Sequence, residues 1–246
     1  MTVYSSLLQS LPGIAHGFGD KSALMPDNLA AWQSTLPQKK QVHGSEIGLV
    51  SHAGQACGEV DGLITFTPGV LLTVLTADCL PLLFCRRDGQ AIGVVHAGWR
   101  GLLAGIIEQF ARLIAAQGNH PADWLAVVGP AAGPCCYEVG HPLVADFCRQ
   151  LTVPTNIITP GNGYLDLPAI AAYKLQQAGF GQSERLNECT ICSQPSTASA
   201  SQAGPACFSY TSFRRNSKKR ATDRSYPSIK GRNQHSGLIM LPKTSD

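Results

Sequence analysis

The sequence predicts an α+β fold, similar to a sandwich, in which mixed β-sheets pack against helices within a single domain over residues 1–246. Three observations lead to this prediction. Aliphatic and β-branched runs follow one another in groups instead of alternating with helical patterns. The length fits one large domain better than two small ones. A hydrophobic content of 44% with only 14% charged residues indicates a large buried surface.

The predicted strands are short apolar runs that end at Gly, Pro or a polar residue. Residues 1–40 are weakly patterned, and the strand signals begin at Ile47. In chain order, strands are predicted at 47–50, 62–66, 70–77, 80–85, 91–97, 124–129 and 237–241.

Three amphipathic helices are predicted among these strands. Over residues 102–117, apolar side chains recur at helical spacing before a stop signal at Gly118. Residues 141–150 and 168–178 carry shorter helical patterns, each with Pro in its first turn.

Several classes of protein do not fit the composition. No apolar run approaches the roughly 20 residues that a membrane-spanning helix needs, so no membrane contact is predicted. The first residues lack the basic and long apolar regions of a secretory signal. The nine cysteines are an odd number and are scattered along the chain, which favours reduced thiols over a disulfide framework. Together these features predict a cytoplasmic protein.

Charge is unevenly distributed along the chain. Residues 214–232 hold eight basic side chains and one acidic one; the whole chain carries +3, so the remainder carries −4. We interpret this stretch as a basic loop insertion that attracts anionic substrates. Nucleic-acid binding is the other interpretation, but aromatic residues for base stacking are few and no recognition motif is present. The segment 193–206 is rich in Ser and Ala and predicts a mobile surface loop without chemistry.

One predicted hairpin brings two reactive side chains together. A two-residue turn at 88–89 fixes a register that places His96 opposite Pro81. Cys79 is then a diagonal neighbour of His96, with Cβ atoms about 7–8 Å apart, so both side chains can share one metal ion or one substrate. A buried structural cysteine and a structural histidine remain the alternative interpretation. The position of both residues at strand ends favours a site.

Five motifs in succession resemble those of the laccase-domain family, also known as polyphenol oxidases and as zinc-dependent purine nucleoside phosphorylases. The resemblance continues through Cys189-Thr190, Arg214-Arg215 and Gly231-Arg232 and covers nearly the whole chain. The five motifs are QVHG at 41–44, VDGLIT at 60–65, TADCLPLLF at 76–84, GVVHAGWRGL at 93–102 and GPAAGPCCYEVG at 129–140.

The resemblance implies that His43, Cys79 and His96 bind one metal ion. Two imidazoles and one thiolate suit Zn²⁺, and three protein ligands leave the fourth tetrahedral position for water or substrate. Zinc in such a site activates water, which fits deamination of adenosine. Cys79 and His96 are therefore predicted catalytic residues. Asp78 is a further catalytic candidate, with the capping of a turn as the alternative.

Phosphorolysis requires groups that bind phosphate. Arg100, beside the ligand His96, is the main candidate because its planar guanidinium binds phosphate in bidentate fashion. Arg214, Arg215 and Arg232 belong to the family motifs and are predicted to assist it. Backbone amides of the turn at 129–134 could contribute, although simple turn chemistry explains that sequence equally well.

The predicted function is phosphorolysis of purine nucleosides (adenosine, inosine, guanosine and methylthioadenosine) by inorganic phosphate, with zinc-dependent adenosine deamination. One alternative is a copper-dependent laccase-like oxidase, since copper exceeds zinc in intrinsic affinity for such ligands. Another is a Cys/His amidase that edits cell-wall precursors, with Cys79 as nucleophile and His96 as base. The CxxC spacing at 189–192 lacks a second pair at zinc-finger distance, which favours reduced thiols there.

Overall fold

A computed structural model describes residues 2–195 and 207–242. Most of the predicted loop at 193–206 lies outside the described residues. The strands are β1 Ile14–Phe18, β2 Gln38–Lys40, β3 Ile47–Val50, β4 Ala56–Glu59, β5 Gly62–Thr65, β6 Leu72–Thr76, β7 Leu80–Arg86, β8 Ile92–Ala97, β9 Trp124–Val128, β10 Gln182–Arg185 and β11 Gln234–Met240. The helices are α1 Ser6–Gln9, α2 Asp27–Ala30, α3 Trp99–Leu103, α4 Ile106–Ala116, α5 His141–Gln150, α6 Thr155–Ile158, α7 Leu167–Gln177 and α8 Phe213–Thr222.

Six strands form the central sheet in the order β10-β9-β7-β8-β5-β3. Its middle pairs are antiparallel, whereas β10 pairs with β9 and β3 pairs with β5 in parallel. A second, antiparallel sheet has the order β1-β11-β6, and β2 pairs with β4 in parallel. The α+β prediction with mixed sheets is therefore confirmed.

The central sheet is buried on both faces because successive side chains of a strand point to opposite sides. On one face, Leu82 and Phe84 pack with Ile107 and Phe110 of α4. On the other face, Leu83 packs with apolar residues of the three-stranded sheet. The domain thus has three layers, with helices, the six-stranded sheet and the three-stranded sheet in that order.

The predicted strands are all present, with ends that differ by up to three residues. Four strands were missed, namely β1, β2, β4 and β10. They lie in weakly patterned or polar segments, and three of them have only three or four residues, too few for a clear alternation.

Two predictions about the other segments were wrong. The predicted helix at 102–117 starts earlier and is broken into α3 and α4 by Gly105, whose φ of +79° lies in the left-handed region. The predicted basic loop contains α8, which lacks the apolar stripe that would have revealed it. Ser212 caps α8 by accepting a hydrogen bond from the Arg215 amide, and Asn216 ties it to the carbonyl of Pro227.

No helix within residues 2–195 and 207–242 has the length and apolar character required to cross a bilayer.

Buried His16 makes folding stability depend on pH. Its Nε2 atom accepts a hydrogen bond from the Ser5 amide, and the side chain is 2% exposed. Burial lowers the pKa of His16 from 6.5 to about 4, against the hydrogen bond from Ser5 and the charge of Glu184, which raise it. The unfolded chain therefore binds this proton more readily between these two pH values, and stability falls as pH drops through that window.

We predict that the free energy of unfolding contributed by His16 falls by about 2 kcal/mol between pH 7 and pH 5. Replacing His16 by Gln, which keeps an acceptor without the titration, should remove that part of the pH dependence. Urea unfolding of both proteins across this range measures it. Identical pH profiles for the two proteins would contradict the prediction.

Candidate metal centre and active site

The β7–β8 hairpin has the register that the sequence predicts, with Pro81 opposite His96. Cys79 immediately precedes β7, and His43 reaches the same place from the loop between β2 and β3. One ligand atom each from His43, Cys79 and His96 lie within 4.8 Å of one another. The two imidazole rings meet edge to face, with centroids 4.8 Å apart. The structure thus brings together the three residues that the family resemblance proposes as ligands.

The carboxylate of Asp61 holds two of these ligands in place. It accepts hydrogen bonds from the backbone amides of Val42, His43 and Gly44 at 3.1, 3.0 and 2.7 Å. Its Oδ1 atom also lies 2.7 Å from Nδ1 of His96. Because Nδ1 of His96 is engaged in this way, Nε2 remains to bind a metal.

Asp61 stays ionised in this buried position. Burial raises its pKa, but the hydrogen bonds from His96, Gly44 and Val42 outweigh that effect and lower the pKa to about 2. A negative charge therefore lies against the imidazole of His96 and the backbone of the loop that carries His43, and it favours a cation nearby.

The donor set suits a soft or borderline divalent cation. Burial, followed by the charges of Asp78 and Asp61, raises the pKa of the Cys79 thiol to about 12. The thiolate form at neutral pH therefore requires a positive charge next to the sulfur, which a metal ion would supply. Burial and the neighbouring His96 lower the pKa of His43, which keeps its imidazole neutral and able to coordinate.

The three side chains line a cavity of about 760 Å³, within the usual range for small-molecule sites. Its wall is formed by residues of the six-stranded and three-stranded sheets and by the start of α8. Besides the ligands, the wall includes Lys39, Leu63, Thr73, Leu75, Asp78, Trp99, Arg100, Tyr137, Phe213, Arg214 and His235.

Asp78 lies at this wall with both carboxylate oxygens engaged. Oδ1 accepts a hydrogen bond from Thr190 Oγ1 at 2.7 Å, and Oδ2 accepts from Ser212 Oγ at 3.0 Å and from the Arg214 amide at 2.7 Å. Its backbone has a φ of +94°. These contacts support the turn-fixing alternative for Asp78, which would position Cys79 and the start of α8.

The four predicted phosphate-binding arginines divide into two pairs. Arg100 and Arg214 line the cavity. The guanidinium groups of Arg215 and Arg232 do not line it. Arg215 donates to the carbonyl groups of Thr190 and Ile191, and Arg232 donates to carbonyl groups within its own loop.

Three backbone amides of the turn at 129–134 donate hydrogen bonds within the protein. The amides of Ala131 and Ala132 donate to the carbonyl groups of Glu188 and Asp78 at 3.1 and 2.9 Å. The Gly133 amide donates to Sγ of Cys189 at 3.3 Å. These three amides are therefore engaged within the protein and are not available to bind phosphate in the cavity.

Sequence reasoning did not single out Asp61, Lys39 or Phe213, which all belong to the site. Asp61 stands in the motif VDGLIT, where an acidic residue directly before a buried strand could have indicated its role. Lys39 lines the cavity, and burial lowers its pKa to about 8 despite the opposing charges of Asp61 and Cys57. Phe213 is 58% exposed at the cavity wall, and no local pattern marks it.

The sequence is similar to those of known proteins. The sequence model of a family described as "Multi-copper polyphenol oxidoreductase laccase" matches residues 15–203. A protein of Xylella fastidiosa (strain Temecula1) named purine nucleoside phosphorylase is 40% identical over 149 residues, which are 57% of this chain and 56% of that protein. One of Haemophilus influenzae with the same name is 34% identical over 184 residues, 70% of this chain and 74% of that protein.

The fold also matches a solved structure. The crystal structure of YlmD from Geobacillus stearothermophilus superimposes with a TM-score of 0.73 at 25% identity and covers 94% of this chain and 93% of that one.

We predict that replacing Asp61 by Asn weakens metal binding at His43, Cys79 and His96 by about 10- to 100-fold, since such supporting contacts orient the ligands. Competition with a chromophoric chelator measures the affinity, and circular dichroism checks that the variant folds. Asp88→Asn, in the exposed turn of the hairpin, is the matched control and should bind as the unaltered protein does. Equal affinities for the Asp61 and Asp88 variants would show that Asp61 does not support the ligands.

Proposed function

The chain belongs to the multi-copper polyphenol oxidoreductase laccase family, and we propose that it acts as a purine nucleoside phosphorylase that also deaminates adenosine with bound Zn²⁺. One observation carries the proposal: the three metal-ligating side chains share a cavity with Arg100 and Arg214. The relatives' name, purine nucleoside phosphorylase, supports the phosphorolysis and does not bear on the deamination. The proposed substrates are adenosine, inosine, guanosine and methylthioadenosine, together with inorganic phosphate.

His43, Cys79 and His96 would hold the Zn²⁺, since two imidazoles and one thiolate leave the open fourth position of a catalytic site. Bound there, Zn²⁺ supplies a Lewis acid and activates water for deamination. In that reaction water replaces the amino group at C6 of adenosine, giving inosine and ammonia. Asp61 fixes the orientation of His96 and of the loop that carries His43.

Phosphorolysis would use the cationic wall of the cavity. A phosphate oxygen forms a bond to C1′ of the ribose while the C1′–N9 bond breaks, and the purine leaves with the electron pair and takes up a proton. Arg100, whose guanidinium lies 4.6 Å from the centroid of the Trp99 ring, and Arg214 would bind the phosphate. Tyr137, whose pKa burial raises to about 12, has a protonated hydroxyl at neutral pH that can donate to the substrate. Phe213 offers an exposed ring on which the purine can stack.

Two other functions follow from particular observations. The family description favours a copper-dependent oxidase, with copper in place of zinc. Cys79, His96 and Asp61 also lie near one another as a nucleophile, a base and an orienting group would in an amidase: His96 Nδ1 is 2.7 Å from Asp61, and ligand atoms of His96 and Cys79 lie within 4.8 Å. Burial of the Cys79 thiol opposes the amidase, because a free thiolate is disfavoured there.

We predict that Arg100→Ala raises the KM for phosphate roughly 10- to 100-fold, because a charge-assisted contact to the anion is lost. Initial rates of inosine phosphorolysis over a range of phosphate concentrations measure this. Arg112→Ala, on the exposed face of α4, is the matched control and should leave the KM unchanged. An unaltered phosphate KM in Arg100→Ala would exclude Arg100 from the phosphate site.

We predict that Cys79→Ala loses about one metal equivalent per chain, as expected for a site with a single ion, and loses adenosine turnover. Incubation with adenosine, with and without phosphate, followed by chromatography of hypoxanthine, adenine and inosine, separates deamination from phosphorolysis. Activity in a preparation free of metal would refute the zinc proposal. Copper content with phenol oxidation and no nucleoside turnover would instead establish the oxidase.

A further inference from the structure

A second group of metal-ligating side chains lies apart from the first. Cys135 and Cys136 follow the turn at 129–134, and Cys189 and Cys192 lie in the connection after β10. All four sulfur atoms lie within 4.8 Å of one another, and each is a free thiol. Neither the proposed reaction nor the first metal site uses them.

The spacing of the sulfur atoms suits a single ion. Four thiolates at about 2.3 Å from a central Zn²⁺ have sulfur–sulfur distances of about 3.8 Å in a regular tetrahedron. The Sγ atoms of Cys135 and Cys192 are 3.6 Å apart. A disulfide would require about 2.0 Å, so this pair is spaced like ligands around an ion rather than like a bond.

Backbone contacts hold the two pairs in register. The Ala131 amide donates to the carbonyl of Glu188, and the Thr190 amide donates to the carbonyl of Ala131, at 3.1 and 2.9 Å. Gly133 lies where a Cβ would be 3.4 Å from Sγ of Cys135 and 3.3 Å from Cβ of Cys189. Its amide donates to Sγ of Cys189, a contact that stabilises a thiolate. Backbone contacts between the two segments therefore bring the four sulfur atoms together.

We propose that Cys135, Cys136, Cys189 and Cys192 bind one tetrahedral Zn²⁺ ion in a structural site distinct from the one formed by His43, Cys79 and His96. Four protein ligands close the coordination sphere, which is the arrangement of structural rather than catalytic zinc. Cys189 and Cys192 have the usual CxxC spacing. The partner pair is adjacent in sequence and more than 50 residues away, which is why spacing alone favoured reduced thiols.

This ion would stabilise one wall of the candidate active site. Thr190 lies between Cys189 and Cys192 in the sequence, and its Oγ1 atom donates a hydrogen bond to Asp78, the neighbour of Cys79. Arg215 of α8 donates to the carbonyl groups of Thr190 and Ile191. The four-cysteine ion therefore lies at the point where the 129–137 segment, the 188–193 segment and α8 meet.

Metal content tests the proposal directly. The full chain, purified under reducing conditions, is compared with the double variant Cys189→Ser/Cys192→Ser and with the control Cys207→Ser, an exposed thiol outside both groups. We expect the double variant to lose about one zinc equivalent and the control to lose none. Cys79→Ala should lose only the zinc equivalent at the site of His43, Cys79 and His96. The two variants therefore test the two metal sites separately. A double variant with the metal content of the unaltered chain would overturn the proposal.

Thiol protection provides a second test if the double variant does not fold. The unaltered chain is alkylated with and without a zinc chelator, and the modified cysteines are identified by peptide mass spectrometry. We expect the exposed thiols of Cys135 and Cys192 to react only after chelation, whereas Cys207 reacts in both samples. The proposal would be overturned if Cys135 and Cys192 reacted equally with and without the chelator, or if they were recovered in disulfides.

Discussion

The ionised carboxylate of Asp61 is the contact on which the candidate site depends. It directly precedes β5 of the central sheet and accepts hydrogen bonds from the amides of the loop that carries His43, and it contacts the imidazole of His96. A buried charge is costly unless it is fully hydrogen-bonded. The hydrogen bonds that stabilise the Asp61 carboxylate therefore also fix the positions of the loop amides and of the His96 ring. The site is consequently part of the packing of the sheet and not an addition to its surface.

The parts of the site that could be predicted from sequence are those formed by residues close together along the chain. The approach of Cys79 to His96 depends on a hairpin with a short turn, and local pattern was sufficient to fix its register. The role of Asp78 depends on contacts with Thr190 and Ser212, which are more than 100 residues away along the chain. No local pattern encodes such contacts. The grouping of four cysteines depends on the same kind of long-range pairing.

The arginines show a related limit. A guanidinium near a metal ligand in sequence can bind an anion or can serve the backbone, and composition does not separate these uses. Arg100 lies at the cavity, whereas Arg215 donates to the carbonyl groups of Thr190 and Ile191. Within the basic segment, Arg214 lines the cavity, Arg215 and Arg232 donate to backbone carbonyl groups, and the lysines of α8 are exposed.

The edge of the central sheet at β10 has a consequence for self-association. An exposed edge strand offers unpaired amides to strands of other molecules and promotes aggregation. Here β10 is only four residues long and polar, and its Glu184 side chain accepts hydrogen bonds from Ser6 Oγ and the Leu7 amide of α1. An incoming strand would find few amides to pair with and a charged side chain beside them. The short length and polar composition of β10 therefore oppose edge-to-edge association of the sheet.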